Sequence, residues 1–152
     1  MFGERKSATR SSGSTRLTLH DRIRTGLVEG FKDSLSADSQ GLSDADILIQ
    51  QGGRVAVVEV KTGDPDLPLP SSTSAQMLLL KRQARQKFSE ADVQEVLPVL
   101  VTNYTVSADD EKELEDQGIK VIRIDSTASG SDDFEKFSRR VASLTGLQTD
   151  LV

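Results

Sequence analysis

Two adjacent glycines, Gly52 and Gly53, restrict the fold of this chain more than any other feature of its sequence. They separate two runs rich in β-branched residues, 46–50 and 55–62, and this arrangement is typical of a β-hairpin with a two-residue turn. Counting outward from such a turn places Asp46 directly opposite Glu59. Opposed residues of an antiparallel pair share one face of the sheet, with Cβ atoms about 4.5–5.5 Å apart. The sequence therefore predicts that these two carboxylates converge.

The same hairpin predicts where the neighbouring charges lie. Lys61 follows Glu59 by two residues and therefore projects from the same face, and Asp44 would lie opposite Lys61. Like charges opposed across a sheet are destabilising, so Asp46→Ala is expected to stabilise the metal-free protein slightly. The alternative is that Asp46 merely begins a strand, while Glu59 and Lys61 form the solvated face of an edge hairpin.

A bound divalent cation would remove the repulsion between the carboxylates. Mg²⁺ (or Mn²⁺) prefers oxygen ligands and usually takes one or two protein carboxylates, so we expect Asp46, Glu59 and the main-chain carbonyl of Val60 to bind it. The cation would lower the pKa of a bound water, and the ammonium of Lys61 would hold that water or offset charge on a phosphate. These residue types suit hydrolysis of a phosphodiester bond.

Composition excludes several other kinds of site. The chain has no cysteine and a single histidine, His20, which excludes disulfides, thiolate zinc sites and cysteine nucleophiles and disfavours a Ser-His-Asp hydrolase. We expect His20 to be a solvated surface residue. The net charge of −5 disfavours tight non-specific binding of nucleic acid, because phosphate neutralisation dominates that affinity. No apolar run is long enough to span a membrane, and we expect a cytoplasmic protein.

The remaining patterns predict one α/β domain. Residues 1–16 are polar and basic and are expected to form a disordered arm, which leaves residues 17–152 as the folded domain. Apolar residues at every fourth position predict a first helix over 18–33, and the polar loop 33–43 has room for one short edge strand. Thr73 and Gln76 have the spacing of a capping box at the start of a second helix. The rest of the chain predicts strands at 96–102 and 119–124 and helices at 107–117 and 132–144, which together give a mixed sheet.

Residues 44–63 resemble the motif of the PD-(D/E)XK, or restriction-endonuclease-like, superfamily of nucleases. In that family an acid opens one strand and (D/E)XK lies in the next. Asp46 takes the place of the motif Asp, and Glu59-Val60-Lys61 takes the place of EXK. Ala45 stands where the family usually has proline, a departure that does not touch the chemistry.

The layout of about residues 18–125 is also similar to archaeal Holliday junction resolvases and Mrr-like nucleases. The resemblance implies a restriction-endonuclease-like three-layer domain with a central mixed β-sheet flanked by helices. It also implies a Mg²⁺-dependent endonuclease that acts on DNA.

Residues outside the motif are candidates for accessory roles. Many relatives carry an acid on the first helix that completes the metal site, and Glu29 is the carboxylate well inside this helix, although its position away from the apolar stripe favours solvation. Gln76 matches a helix glutamine near the active site of several relatives, and the capping box explains it equally well. Nucleic-acid contacts are expected from basic residues of the arm and of the second helix, namely Arg16, Lys81, Arg82, Arg85 and Lys87.

We therefore expect a DNA-hydrolysing enzyme that works as a homodimer or as a subunit of a larger complex. The alternative is a non-catalytic nucleic-acid-binding or scaffold protein that keeps the nuclease fold. The net charge and the aromatic content of only 4% favour this alternative, because they provide little phosphate affinity and few surfaces for base stacking. The intact Asp, Glu and Lys favour catalysis.

Overall fold

The computed structural model describes residues 18–32, 34–36, 45–125 and 130–150. The expected arm, including Arg16, and the accessory candidate Asp44 lie outside the described residues. None of the described helices combines the length and the apolar character that a membrane span requires. The elements in chain order are α1 (Leu19–Gly30), β1 (Ser34–Ser36), β2 (Ile47–Gln51), β3 (Arg54–Lys61), α2 (Thr73–Lys87), β4 (Glu95–Thr102), α3 (Ala108–Asp116), β5 (Lys120–Arg123) and α4 (Gly130–Thr145).

The described strands form one mixed sheet in the order β1-β2-β3-β4-β5. The first three strands pair antiparallel, whereas β3, β4 and β5 pair parallel. Two successive crossovers, through α2 and then α3, run in the same direction along the sheet. Because parallel crossovers are right-handed in almost every protein, such connections place both helices on one face. The predicted α/β domain with a mixed sheet is confirmed, and β1 is the short strand for which the polar loop had room.

Each face of the sheet carries its own apolar core. The core under α1 and α4 includes Val58 and Val60 of β3, and the core under α2 and α3 includes Val55 and Val57. Successive strand residues point to opposite faces, so Glu59 shares its face with Val57 and projects toward the α2 side of the sheet. Burying one such aliphatic side chain contributes about 1.5–3 kcal/mol, and these cores hold β3 on both sides.

The first helix begins where the sequence predicts but ends at Gly30 and not at residue 33, and the predicted start of α2 is also wrong. Thr18 caps α1, because its Oγ1 accepts a hydrogen bond from the Asp21 N–H at 3.1 Å. For α2 the capping box is wrong: Ser72 occupies the N-cap position and makes no side-chain cap bond. Thr73 is instead the first helical residue, and its 2% exposed side chain packs inside the fold and is unavailable for capping. Gln76 is therefore left exposed on the first turn of α2.

Candidate active site

Asp46 and Glu59 come together at the open end of the β2–β3 hairpin, although not as the opposed pair that the sequence predicts. Ile47 pairs with Val58 as the last pair of the ladder. The N–H of Asp46, in the bend just ahead of β2, also donates to the carbonyl of Val58, at 2.9 Å. This bond is one residue out of the ladder register, so Asp46 lies outside the ladder and does not directly oppose Glu59. Its carboxyl group nevertheless makes a hydrogen bond with the side chain of Glu59.

The two glycines of the turn serve different purposes. Gly52 has a φ of 56°, in the left-handed region that glycine adopts without steric cost. Gly53 does not have a positive φ. A Cβ atom at Gly53 would lie 1.7 Å from Oε1 of Gln94, so glycine leaves room for that side chain. The turn fixes the register because both requirements are met at these two positions.

The carboxylate of Asp46 is held from two directions. Its Oδ2 accepts a hydrogen bond from the Val60 N–H at 2.8 Å. Its Oδ1 lies 3.1 Å from Nε2 of His20, on the first turn of α1. These contacts orient a side chain that is only 15% exposed.

His20 is the residue of this site that the sequence analysis missed. The expectation of a solvated surface histidine is wrong, because His20 is 33% exposed and contacts Asp46. The contact joins α1 to the start of β2 and is purely tertiary. No local pattern of the sequence reports it, except that His20 is the single histidine of the chain.

Glu59 has a strongly perturbed acidity. Its pKa is raised from 4.5 to about 8, mainly by burial, which removes the water that would stabilise the charged carboxylate. The hydrogen bond with the Asp46 side chain and the negative charge of Asp46 raise the pKa of Glu59 further. The ammonium of Lys61 and the Val60 N–H lower this pKa only in part. At neutral pH Glu59 is therefore mostly protonated in the metal-free protein.

Lys61 is the last residue of β3. It is half-buried and its main chain faces Thr102 of β4. Its charge is close enough to Glu59 to act on the pKa of that carboxyl group. The structure therefore brings together the three side chains that the motif singled out, Asp46, Glu59 and Lys61.

The donor set of the pair fits a divalent cation. Glu59 holds a proton at neutral pH in the metal-free protein, and a dication in place of that proton would neutralise both carboxylates. The Val60 carbonyl belongs to the strand that carries Glu59 and is the main-chain oxygen that the sequence proposes as a ligand. Among the described residues, no group of three or more His, Cys, Asp and Glu side chains is arranged to hold a metal. A cation here would therefore keep several waters, as Mg²⁺ usually does.

The candidate on the first helix lies away from this pair. Glu29 is exposed and follows His20 by nine positions on α1. At 1.5 Å per residue it lies about 13 Å further along the helix axis than His20. That distance is too great for Glu29 to share a cation with Asp46.

The four basic residues of α2 do not form one surface. Arg85 turns inward, where its Nη2 donates to the carbonyls of Phe88 and Val93 at 2.9 and 2.5 Å. Lys81 is half-buried, and its Nζ lies near Gly118 at the end of α3. Arg82 and Lys87 are exposed and remain candidates for phosphate contacts. The sequence could not separate these cases, because the carbonyls that hold Arg85 belong to the loop after the helix.

An open groove of about 720 Å³ lies at the other end of the hairpin, beside the Gly52 turn. Its lining includes Gln51, Gly146 and Gln148, and Asp150 is the only carboxylate among the residues that line it. A groove without paired titratable groups offers little for acid–base or metal chemistry. The chemistry of the described residues is therefore concentrated at Asp46 and Glu59.

Comparisons with known proteins assign no function to this site. Neither a scan against protein-family models nor a search of curated proteins gives a match. Among solved structures, the crystal structure of protein VC1899 from Vibrio cholerae is similar, with 13% identity and a TM-score of 0.41. The similarity covers 83% of this chain and 31% of VC1899, so this chain spans less than a third of that protein. A likeness this low carries no argument about function.

Proposed function

We propose that the protein is a divalent-cation-dependent nuclease that hydrolyses DNA phosphodiester bonds at Asp46, Glu59 and Lys61. The observation that carries the proposal is the half-buried Asp46–Glu59 pair, in which a hydrogen bond joins the two side chains and burial together with Asp46 raises the pKa of Glu59 to about 8. Opposed carboxylates weaken a hairpin and contribute nothing to its packing. Strongly perturbed pKa values cluster at functional sites, and here burial raises the pKa of Glu59 most, with Asp46 of the motif raising it further.

The fold supports the finer assignment to the restriction-endonuclease-like class. The acids lie on an antiparallel hairpin, and the second strand of that hairpin continues through a helix into a parallel strand. Helices cover both faces of the mixed sheet. This arrangement is the one that the PD-(D/E)XK resemblance implies.

Each residue of the site has a different role in the proposed reaction. Bound Mg²⁺ or Mn²⁺ would supply an ionised water and would offset charge on the phosphate. Asp46 and Glu59 would hold the cation, and His20 and the Val60 N–H keep the Asp46 carboxylate in one orientation. The ammonium of Lys61 would orient the attacking water or neutralise charge that develops on the phosphate oxygens.

The net charge of −5 bears on the partners of such an enzyme. A single acidic chain gains little phosphate affinity, because release of counterions by basic groups drives binding to DNA. Action as a homodimer or as a subunit of a larger complex would supply additional phosphate contacts.

The same charge, together with an aromatic content of 4%, favours a second candidate function. A non-catalytic scaffold with the nuclease fold needs neither strong phosphate affinity nor stacking side chains. It has no need of a half-buried carboxyl pair beside a lysine. The two functions therefore differ in whether Asp46 and Glu59 bind metal and whether Lys61 matters.

Metal titration and cleavage assays together test the proposal. We expect Mn²⁺ to bind the parent protein, to bind Glu59→Gln much more weakly, and to bind Lys61→Ala about as well as the parent. Cleavage of duplex, single-stranded or branched DNA should be lost in both variants. Lys112→Ala is the matched control, because this lysine is 77% exposed and pairs with Asp116 on the same helix. If the parent protein binds no Mn²⁺ and cleaves none of the three substrates, the result favours the scaffold function over the nuclease function.

A further inference from the structure

Asn103, directly after β4, makes an unusual pair of hydrogen bonds across the sheet. Its side chain is buried, with the residue only 3% exposed. Its Oδ1 accepts from the Gly63 N–H at 2.9 Å, and its Nδ2 donates to the Gly63 carbonyl at 2.8 Å. One carboxamide therefore satisfies both main-chain groups of a residue 40 positions away.

These bonds bridge a gap in the pairing of two neighbouring segments. The parallel ladder of β3 and β4 ends at Lys61 and Thr102. Pairing resumes further along, where the Thr105 N–H donates to the Leu67 carbonyl at 3.0 Å and the Leu69 N–H donates to the Thr105 carbonyl at 3.2 Å. Asn103 lies between these two points and ties Gly63, two residues after the end of β3, to the segment that follows β4.

Neighbouring contacts fix Asn103 and Gly63 in place. The Tyr104 hydroxyl lies so close to Gly63 that a Cβ there would be 2.1 Å from it. The N–H of Tyr104 donates to Thr102 Oγ1 at 3.0 Å, and its carbonyl accepts from Arg123 Nε at 2.8 Å. Residues of β4 and β5 thus hold the segment that carries Asn103, and Asn103 holds the end of β3.

We propose that Asn103 is a positioning residue that holds Lys61 beside the Asp46–Glu59 pair. Gly63 follows Lys61 by two residues, so fixing its main chain fixes the last strand position, from which the lysine projects. The importance of this role for catalysis rests on the proposed function. The position of Lys61 can be measured even if the protein has no activity. A lysine that shifts by about 1 Å can cost on the order of 100-fold in rate, whereas metal binding by Asp46 and Glu59 would be untouched.

The test compares Asn103→Leu and the milder Asn103→Ser with Thr105→Val. Leucine is close in size but makes neither bond to Gly63, and serine leaves room for a bridging water if the leucine variant does not fold. Thr105→Val is the control, because it removes a different bond of the same segment, from Thr105 Oγ1 to the Pro65 carbonyl at 2.6 Å. Thermal melts establish which variants are folded before any other measurement.

The first measurement is acylation of lysines in the metal-free protein, followed by mass spectrometry. Lys61 should be labelled several-fold faster in the folded Asn103 variants than in the parent or in Thr105→Val, with exposed Lys112 as the internal reference. Unchanged labelling of Lys61 in both Asn103 variants would overturn the proposal whatever the activity of the parent. Faster labelling in a parent that neither binds Mn²⁺ nor cleaves DNA would keep the positioning role and reject the nuclease function.

The second measurement is cleavage by the same variants. We expect kcat to fall about 10- to 100-fold in the Asn103 variants, with KM and Mn²⁺ affinity close to the parent values. Parent-like kcat in Asn103→Leu contradicts the proposal. A parallel loss of Mn²⁺ affinity also contradicts it, because the carboxamide would then act on the carboxyl pair and not on Lys61.

Discussion

The raised pKa of Glu59 makes the stability of the metal-free protein depend on pH in a predictable direction. In the folded protein this pKa is about 8, above its ordinary value of 4.5, so folding favours the neutral form. The stabilising contribution is present in full below about pH 4.5 and is lost as the pH rises through about 8. The metal-free protein should therefore lose stability between these values, whereas a divalent cation should stabilise it more at the upper end of the range.

The size of the effect follows from the shift and from the exposure of the group. At about 1.4 kcal/mol per pH unit, a fully shielded carboxyl group with this shift would contribute about 5 kcal/mol. Glu59 is only partly buried, and solvent screening reduces the contribution of such a group to about 1–2 kcal/mol. The expected loss is large enough to measure by denaturant unfolding in chelator, followed by circular dichroism at several pH values.

Glu59→Gln and Asp46→Asn are the informative variants. Glu59→Gln cannot titrate, so the stability difference between parent and variant isolates Glu59 from every other group. Asp46→Asn keeps an acceptor for the Val60 N–H and removes the charge, so the pKa of Glu59 should fall and the pH dependence should weaken. Parallel stability curves for parent and Glu59→Gln across the range would refute the raised pKa of Glu59.

The structure changes one expectation from the sequence. Because Glu59 is mostly protonated at neutral pH, Asp46→Ala relieves little repulsion there, and it leaves the Val60 N–H without this acceptor. An unsatisfied buried donor costs about 1–3 kcal/mol. We therefore no longer expect Asp46→Ala to stabilise the metal-free protein.

Three further variants test other parts of the site. Lys61→Ala should reduce cleavage at least 100-fold with Mn²⁺ affinity retained; comparable cleavage by the variant would remove Lys61 from the chemistry. His20→Ala should weaken Mn²⁺ binding about 10- to 100-fold, as loss of a group that orients a ligand does, and calorimetry showing unchanged affinity would make the contact with Asp46 incidental. Arg85→Ala should lower the free energy of unfolding by about 1–3 kcal/mol, because two carbonyls lose their donor. Arg82→Ala should instead leave stability unchanged and weaken DNA binding; the reverse pattern would show that these two arginines have been assigned the wrong roles.

Local sequence determines the hairpin. A two-residue turn at Gly52 and Gly53 fixes which residues of β2 and β3 pair, and in that register β3 buries side chains on both faces of the sheet. Gly52 and Gly53 therefore sufficed to predict that Asp46 and Glu59 come together, but not that Asp46 lies in a bend outside the ladder. The capping box at Thr73 failed because burial decided which residue entered the helix first, and the spacing with Gln76 contains no information about burial.

Contacts between distant parts of the chain could not be predicted in this way. His20 reaches Asp46 only because α1 packs on the sheet beside the start of β2. Asn103 reaches Gly63 only because β3 and β4 are parallel neighbours that end together. Neither contact produces a repeating pattern of residues in the sequence, because each depends on where two elements end relative to each other.

The mixed sheet explains why these contacts meet at one place. In the antiparallel hairpin the start of β2 lies beside the end of β3, which brings Asp46 to Glu59. In the parallel half, the ends of β3, β4 and β5 lie on the same edge, which brings Asn103 and Arg123 to the segment after Lys61. Ligand sites of parallel sheets lie outside the carboxyl ends of their strands. β3 belongs to both halves of the sheet, because it pairs antiparallel with β2 and parallel with β4. Its last three residues, from Glu59 to Lys61, therefore lie beside Asp46 of the hairpin and also at the edge of the parallel half where ligands usually bind.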